Sequence, residues 1–242
     1  MLTDRHCKEF KEKGYTILLD ALDKQQVELL HNEADELANY LMSEQVDLVK
    51  DLGCVLEPWT CGYIDTPETK EYKMNKQEYV KIRDSIYPSD HATVSSLLFD
   101  TYAIWASQLL NSKDIYLLNE QYIVKPPLSS SYSQFAWHRD SDYYHDTSIK
   151  NQVTIACWTA LDDVNRLNGA VIVEDGHVVE IPAGSILFMS SHLLHKSTGN
   201  TSTQFRRAFM PQFSTLPILD KTKSHLPLAE QCLGFAINCF IA

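Results

Sequence analysis

Ala170-Val171-Ile172-Val173-Glu174-Asp175-Gly176-His177-Val178-Val179-Glu180-Ile181 is the stretch that decides the fold. Two short β-rich runs flank Asp-Gly, the dipeptide that supplies the positive φ angles of a two-residue hairpin turn. Downstream, Pro182-Ala183-Gly184 turns the chain into the apolar run Ile186 to Met189, and Arg207 to Phe213 reads as a last strand. Upstream, Val153, Ile155, Cys157 and Thr159 alternate with Thr154, Ala156, Trp158 and Ala160, and Ile115 to Val124 is a further strand ahead of Lys125-Pro126-Pro127. The first half is different. Thr3 or Asp4 caps a short helix ending at Gly14, Tyr15 to Leu19 is a strand, and Asp23 caps a helix with Val27, Leu30, Ala34, Leu37 and Leu41 at helical spacing. A third helix is predicted from about His91 to Leu110. Helices followed by many short strands predict a mainly β chain, a jelly-roll or cupin-like barrel with a helical flank. With no linker or repeat, residues 1–242 read as one domain, helical over about 1–112 and β over about 113–215.

The net charge of −11, from 21 basic and 32 acidic residues, argues against nucleic acid or an anionic membrane as partner. No apolar run reaches membrane-spanning length, and the N-terminal Met1-Leu2-Thr3-Asp4-Arg5-His6 lacks a signal-peptide core. The six cysteines form no Cys-x-x-Cys pair and read as reduced thiols. A cytoplasmic protein with a small-molecule substrate is the expectation.

The chemistry is carried by Trp137-His138-Arg139-Asp140 and by His195, 55 residues beyond Asp140. Side chains two apart on an extended segment point the same way. His138 and Asp140 therefore meet one metal, and His195 from a distant strand completes three ligands on one face of an octahedron. Two His and one carboxylate with open positions is the ligand set of non-haem Fe(II) oxygenases. His192 competes with His195. His195 is preferred because Ser197 and Arg206 follow it at spacings that suit a co-substrate. A 2-oxo acid such as 2-oxoglutarate leaves a far carboxylate to be held, and an arginine fork suits it and stays charged when buried. Arg206 and Arg207 are adjacent, so only one points inward; Arg206 is the expected one, with Ser197 as a second donor.

Several motifs resemble the phytanoyl-CoA dioxygenase-like family. They are Phe10 to Tyr15, Lys125-Pro126-Pro127, Trp137 to Asp140, Trp158 to Asp163 with Asn168-Gly169, and His195 to Ser202 leading to Arg206. The resemblance spans about Leu2 to Phe213. It implies a double-stranded β-helix and an Fe(II)- and 2-oxoglutarate-dependent dioxygenase that consumes O₂. By position it implies His138, Asp140 and His195 as iron ligands, Arg206 and Ser197 on the 2-oxoglutarate carboxylate, and Trp158 and Gln121 lining the co-substrate pocket. Two departures stand out. Arg139 occupies a position that is often Gln, and Asn168-Gly169 runs straight into the tight hairpin where the family usually carries a long insert. The substrate is therefore not carried over.

The expected activity is oxidation, most simply hydroxylation, of a small organic molecule. A peptide or protein hydroxylase and a non-catalytic barrel that merely binds metal or a metabolite are the rivals. The weakly patterned region 52–88 reads either as a surface excursion or as a lid; with the insert missing, its aromatic-rich stretch from about Trp59 to Tyr87 is the candidate lid. Tyr143 and Tyr144 are expected to help it exclude water.

Overall fold

The structure, a computed structural model, describes residues 1–64, 70–86 and 92–241. Helix α1 (Asp4–Lys13) stops at Gly14, whose φ of 76° makes a left-handed cap, and strand β1 (Tyr15–Leu18) follows directly. The Asp23 carboxylate accepts the Gln26 N–H and starts α2 (Lys24–Ser43), which buries Leu30, Ala34, Leu37 and Leu41 along one stripe. Next come β2 (Val55–Leu56), α3 (Lys76–Asp84), α4 (Val94–Leu97), a π turn over Leu98–Tyr102 and α5 (Ala103–Leu110). The third predicted helix is thus interrupted. Its described part begins at Val94, where the Thr93 hydroxyl accepts the Ser96 N–H, and His91 lies outside the described residues.

The β half comprises β3 (Tyr116–Lys125), β4 (Phe135–His138), β5 (Ile155–Ala160), β6 (Val171–Val173), β7 (Val178–Val179), β8 (Ile186–Ser190), β9 (His195–Ser197), β10 (Arg206–Ser214) and β11 (Ile237–Asn238). The strands pair antiparallel in two sheets, β1-β8-β5-β10-β3-β11 with β2 added on β3, and β4-β9-β6-β7. This is the mainly β, double-stranded β-helix arrangement that the sequence predicts. The hairpin forms at Asp-Gly as expected, but Val173 faces His177, so the β6–β7 turn has three residues, with Gly176 (φ 84°) and not Asp175 at positive φ.

Strand β5 is buried on both faces because it separates two cores. Ile155 and Cys157 pack towards the helices, while Ala156, Trp158 and Ala160 pack between the sheets with Val171, Leu187 and Met210. The helices therefore close the outside of the large sheet and leave the space between the sheets for a site.

Two expectations need correction. The β core does not end at 215. The chain returns along β3, where β11 pairs with Leu117 and Tyr116 and the Phe235 N–H donates to the Leu118 carbonyl at 2.8 Å. This return covers what would otherwise be a bare strand edge. Nor is the described part of the 52–88 region a surface excursion: Trp59, Tyr72 and Tyr79 are buried in the main core, and α3 lies within it. Tyr87 and Pro88 are outside the described residues.

Candidate functional site

Strands β4 and β9 lie side by side with His138 directly opposite His195, and their ring centroids are 4.3 Å apart. The chain turns immediately after β4, which brings Asp140 under both rings. Asp140 Oδ1 is 3.8 Å from Nε2 of His138 and 3.8 Å from Nε2 of His195. Each imidazole is oriented through its other nitrogen. His138 Nδ1 donates to the Ala136 carbonyl at 2.8 Å, and His195 Nδ1 to the Leu193 carbonyl at 3.1 Å. This leaves both Nε2 lone pairs free and facing the carboxylate, the backbone support typical of metal-binding histidines. The other Asp140 oxygen accepts Gln212 Nε2 at 3.2 Å. Burial pushes the Asp140 carboxyl above the ordinary range, against the pull of His195 and His138, and burial lowers the His195 imidazole. Burial thus disfavours the charged form of each group, and the neutral His195 imidazole keeps its Nε2 lone pair available to a metal.

His192 is elsewhere. Its Nε2 hydrogen-bonds the Lys150 carbonyl at 2.7 Å, and its own carbonyl accepts Arg139 Nε at 3.1 Å. Arg139, the departure from the family pattern, thus ties β4 to the loop ahead of β9.

A cavity of about 500 Å³ opens beside the three residues. At one end sits Arg206, 1% exposed. Its guanidinium carbon lies 5.3 Å from the Trp158 ring centroid; among the described residues its only hydrogen bond is a long 3.4 Å contact from Nη1 to the Ile123 carbonyl, and Nε has no partner. Burial lowers it to about 10. Arg207 points the other way, as strand alternation requires. It pairs with Asp35 at 2.6 Å and Asp162 at 3.2 Å. An unpaired buried guanidinium facing a cavity is costly unless an anion arrives. Ser197 also lines this end, facing Phe135 across β4 and β9. Trp158 and Gln121 both line the cavity, and the Gln121 side-chain oxygen accepts Asn119 Nδ2 at 3.2 Å.

The other end is aromatic. Trp59 stacks on Tyr72 at 4.8 Å and meets Phe235 edge-on at 5.3 Å; Tyr143 and Tyr144 also border the cavity. Phe235 comes from the C-terminal return, which sequence reasoning missed. Gly234 makes the approach possible, because a Cβ there would lie 2.0 Å from the Leu118 carbonyl oxygen. Lys125 and Gln212 were also missed as site residues, although Lys125-Pro126-Pro127 was a visible motif.

The fold is shared with solved structures of low sequence identity. The non-heme α-ketoglutarate-dependent carbocyclase SnoK from nogalamycin biosynthesis is 17% identical, with 96% of this chain and 94% of that one covered, at a TM-score of 0.62. EvdO2 from Micromonospora carbonacea var. aurantiaca, solved with 2-oxoglutarate, is 16% identical over 90% and 93% of the two chains, at 0.59. EctD from S. alaskensis, solved with 2-oxoglutarate and 5-hydroxyectoine, is 16% identical over 89% and 77%, at 0.58. No curated protein matches the sequence. The family model described as phytanoyl-CoA dioxygenase (PhyH) matches residues 10–176 and 174–208, which is most of the sequence, and the chain belongs to that family.

Proposed function

We propose that the chain is an Fe(II)- and 2-oxoglutarate-dependent oxygenase that hydroxylates a small organic molecule. The observation that carries this reading is the pairing of two features in one cavity: a His138–Asp140–His195 cluster and a buried arginine that has no carboxylate partner among the described residues. The donor set fits Fe(II), and it leaves the opposite coordination face open. The iron supplies the oxidising chemistry when bound, with 2-oxoglutarate and O₂ as co-substrates.

The protein's own residues divide the remaining work. His138, Asp140 and His195 hold the metal. Arg206 and Ser197 hold the far carboxylate of 2-oxoglutarate, and Trp158 offers the guanidinium a π-face. Gln121 stands beside Asn119 on the wall of the same cavity. Trp59, Tyr72, Phe235 and Tyr143 line the cavity and help exclude water from the reacting centre. A cavity of about 500 Å³ is of the size that holds a small molecule, which favours that substrate class over a peptide. Two structurally similar proteins, a carbocyclase from nogalamycin biosynthesis and EctD solved with 5-hydroxyectoine, support the same substrate class.

The test is succinate formation from 2-oxoglutarate in the presence of Fe(II), O₂ and a panel of metabolites, read together with oxygen incorporation into product. Wild-type turnover that is lost in Asp140→Ala is expected. Full turnover by that variant would sink the reading, and a metal-dependent product without succinate would redirect it.

A further inference from the structure

Lys125 is wholly buried at the end of β3, and its amine has no carboxylate partner among the described residues. It donates to Ser197 Oγ at 2.6 Å and to the Thr198 carbonyl at 2.5 Å, and it sits 5.1 Å from the Phe135 ring centroid. Across the sheet its Cα partner is Arg206. Space has been left for it: a Cβ on Gly169 would lie 2.8 Å from Lys125 Cδ, and Gly169 has φ 103°. Two basic side chains thus converge behind one end of the cavity, with Ser197 between Lys125 and the open space.

We propose that Lys125 is a positioning residue of the dicarboxylate site and acts through Ser197. This rests on the reading that the cavity binds 2-oxoglutarate. With Lys125 donating to its oxygen, the Ser197 hydroxyl keeps its own hydrogen for the bound carboxylate. The amine also takes up a proton when that carboxylate arrives. Two acceptors satisfy the two N–H groups of a neutral amine, so the empty site does not need the charge. Burial, reinforced by Arg206, lowers Lys125 to about 6. The titratable groups facing it among the described residues are Arg206 from β10 and the Cys54 thiol ahead of β2. Its other neighbours, Ser197, Thr198, Phe135 and Gly169, carry no charge. A carboxylate nearby favours the charged form and raises the amine again.

The sign follows. The amine is raised on binding, so the added affinity is fully present below the free-state value of about 6 and is lost as pH rises through the bound-state value. Calorimetry on the Fe(II)-loaded protein without oxygen tests this, with 2-oxoglutarate and pyruvate as probes. Pyruvate keeps the 2-oxo acid and lacks the far carboxylate. In buffers of different ionisation enthalpy at about pH 7.5, wild type should take up close to one proton more with 2-oxoglutarate than with pyruvate. Lys125→Met should abolish that difference. It should also weaken 2-oxoglutarate by about tenfold or more, with pyruvate changed less than about twofold. Should that variant fail to fold, the wild-type uptake measurement alone decides. Equal uptake with both probes overturns the proposal, as does an equal loss for both in Lys125→Met. A wild type that binds pyruvate and 2-oxoglutarate equally weakly instead removes the co-substrate reading on which the proposal rests.

Discussion

Arg83 and Arg206 are both sealed from solvent, and they are held in opposite ways. Arg83 lies between two carboxylates, with Nη1 and Nη2 each 2.6 Å from Glu33 and Nε 3.0 Å from Glu120. Tyr122 donates to the same Glu33, and Trp59 and Tyr79 to the same Glu120. Burial pulls this guanidinium down, but Glu120 and Glu33 overrule it and hold it well above its ordinary value. Arg206 has a π-face, one long hydrogen bond and an orphan Nε, and burial lowers it. Equal burial therefore says little about purpose. A buried charge whose partners are all supplied by the protein holds the fold together, whereas one with its partner missing, beside a cavity, waits for a ligand.

The largest effect should come from Arg83→Met. It strands two buried carboxylates, and losing one member of such a network costs about 3–5 kcal/mol. Urea unfolding should show that loss, while the folded fraction binds 2-oxoglutarate within about twofold of wild type. A variant as stable as wild type would mean that the carboxylates find protons or water more easily than the geometry implies.

Arg206→Met should do the reverse. Affinity for 2-oxoglutarate should fall by about 2–5 kcal/mol, the scale for removing one partner of a buried charge pair. Stability of the ligand-free protein should hold or rise, since an uncompensated charge is removed. A stability loss comparable to that of Arg83→Met would erase the distinction.

The two arginines were also unequally legible. Arg206 could be named because the His-x-Asp motif, the distant His and strand parity all concern residues on regular elements, where side-chain direction follows from position. Arg83 could not. Its partners lie 50 and 37 residues away, and composition alone assigns an arginine to the surface. Its helix hides for the same reason. The buried residues of α3 are Tyr79 and Arg83, so no apolar stripe appears, although Asn75 accepting from the Gln77 and Glu78 N–H groups was a readable start signal. Lys125 sat in a recognised motif, but the state of a lysine depends on burial, which only the folded chain defines. The C-terminal wall is anchored by the two-residue strand β11, too short for any periodicity.

Arg207 sharpens the comparison from outside. Its partner Asp35 is 41% exposed, so Arg207→Ala should cost about 1 kcal/mol or less in urea unfolding. Binding of 2-oxoglutarate should not change. A binding loss equal to that of Arg206→Met would show that the inward and outward assignments of the strand are wrong.

The smallest expected effect belongs to Trp158, whose ring lies against Arg206. A guanidinium over an indole gains about 0.5–2 kcal/mol, and phenyl rings give less. Trp158→Phe keeps a ring on β5 but weakens that face, so it should cost 2-oxoglutarate binding about 0.5–1 kcal/mol. The sign of the effect separates two roles for the ring. If it mainly compensates the empty site, weakening it removes support from the free protein, and 2-oxoglutarate should then bind relatively tighter. If it mainly fixes the fork for the carboxylate, affinity falls. The 5.3 Å separation and the orphan Nε favour the second case, since the ring leaves the guanidinium edge free and aimed. Calorimetry with 2-oxoglutarate and pyruvate separates the two. A fall confined to 2-oxoglutarate supports orientation, and a gain would make Trp158 a substitute partner for a charge awaiting its ligand.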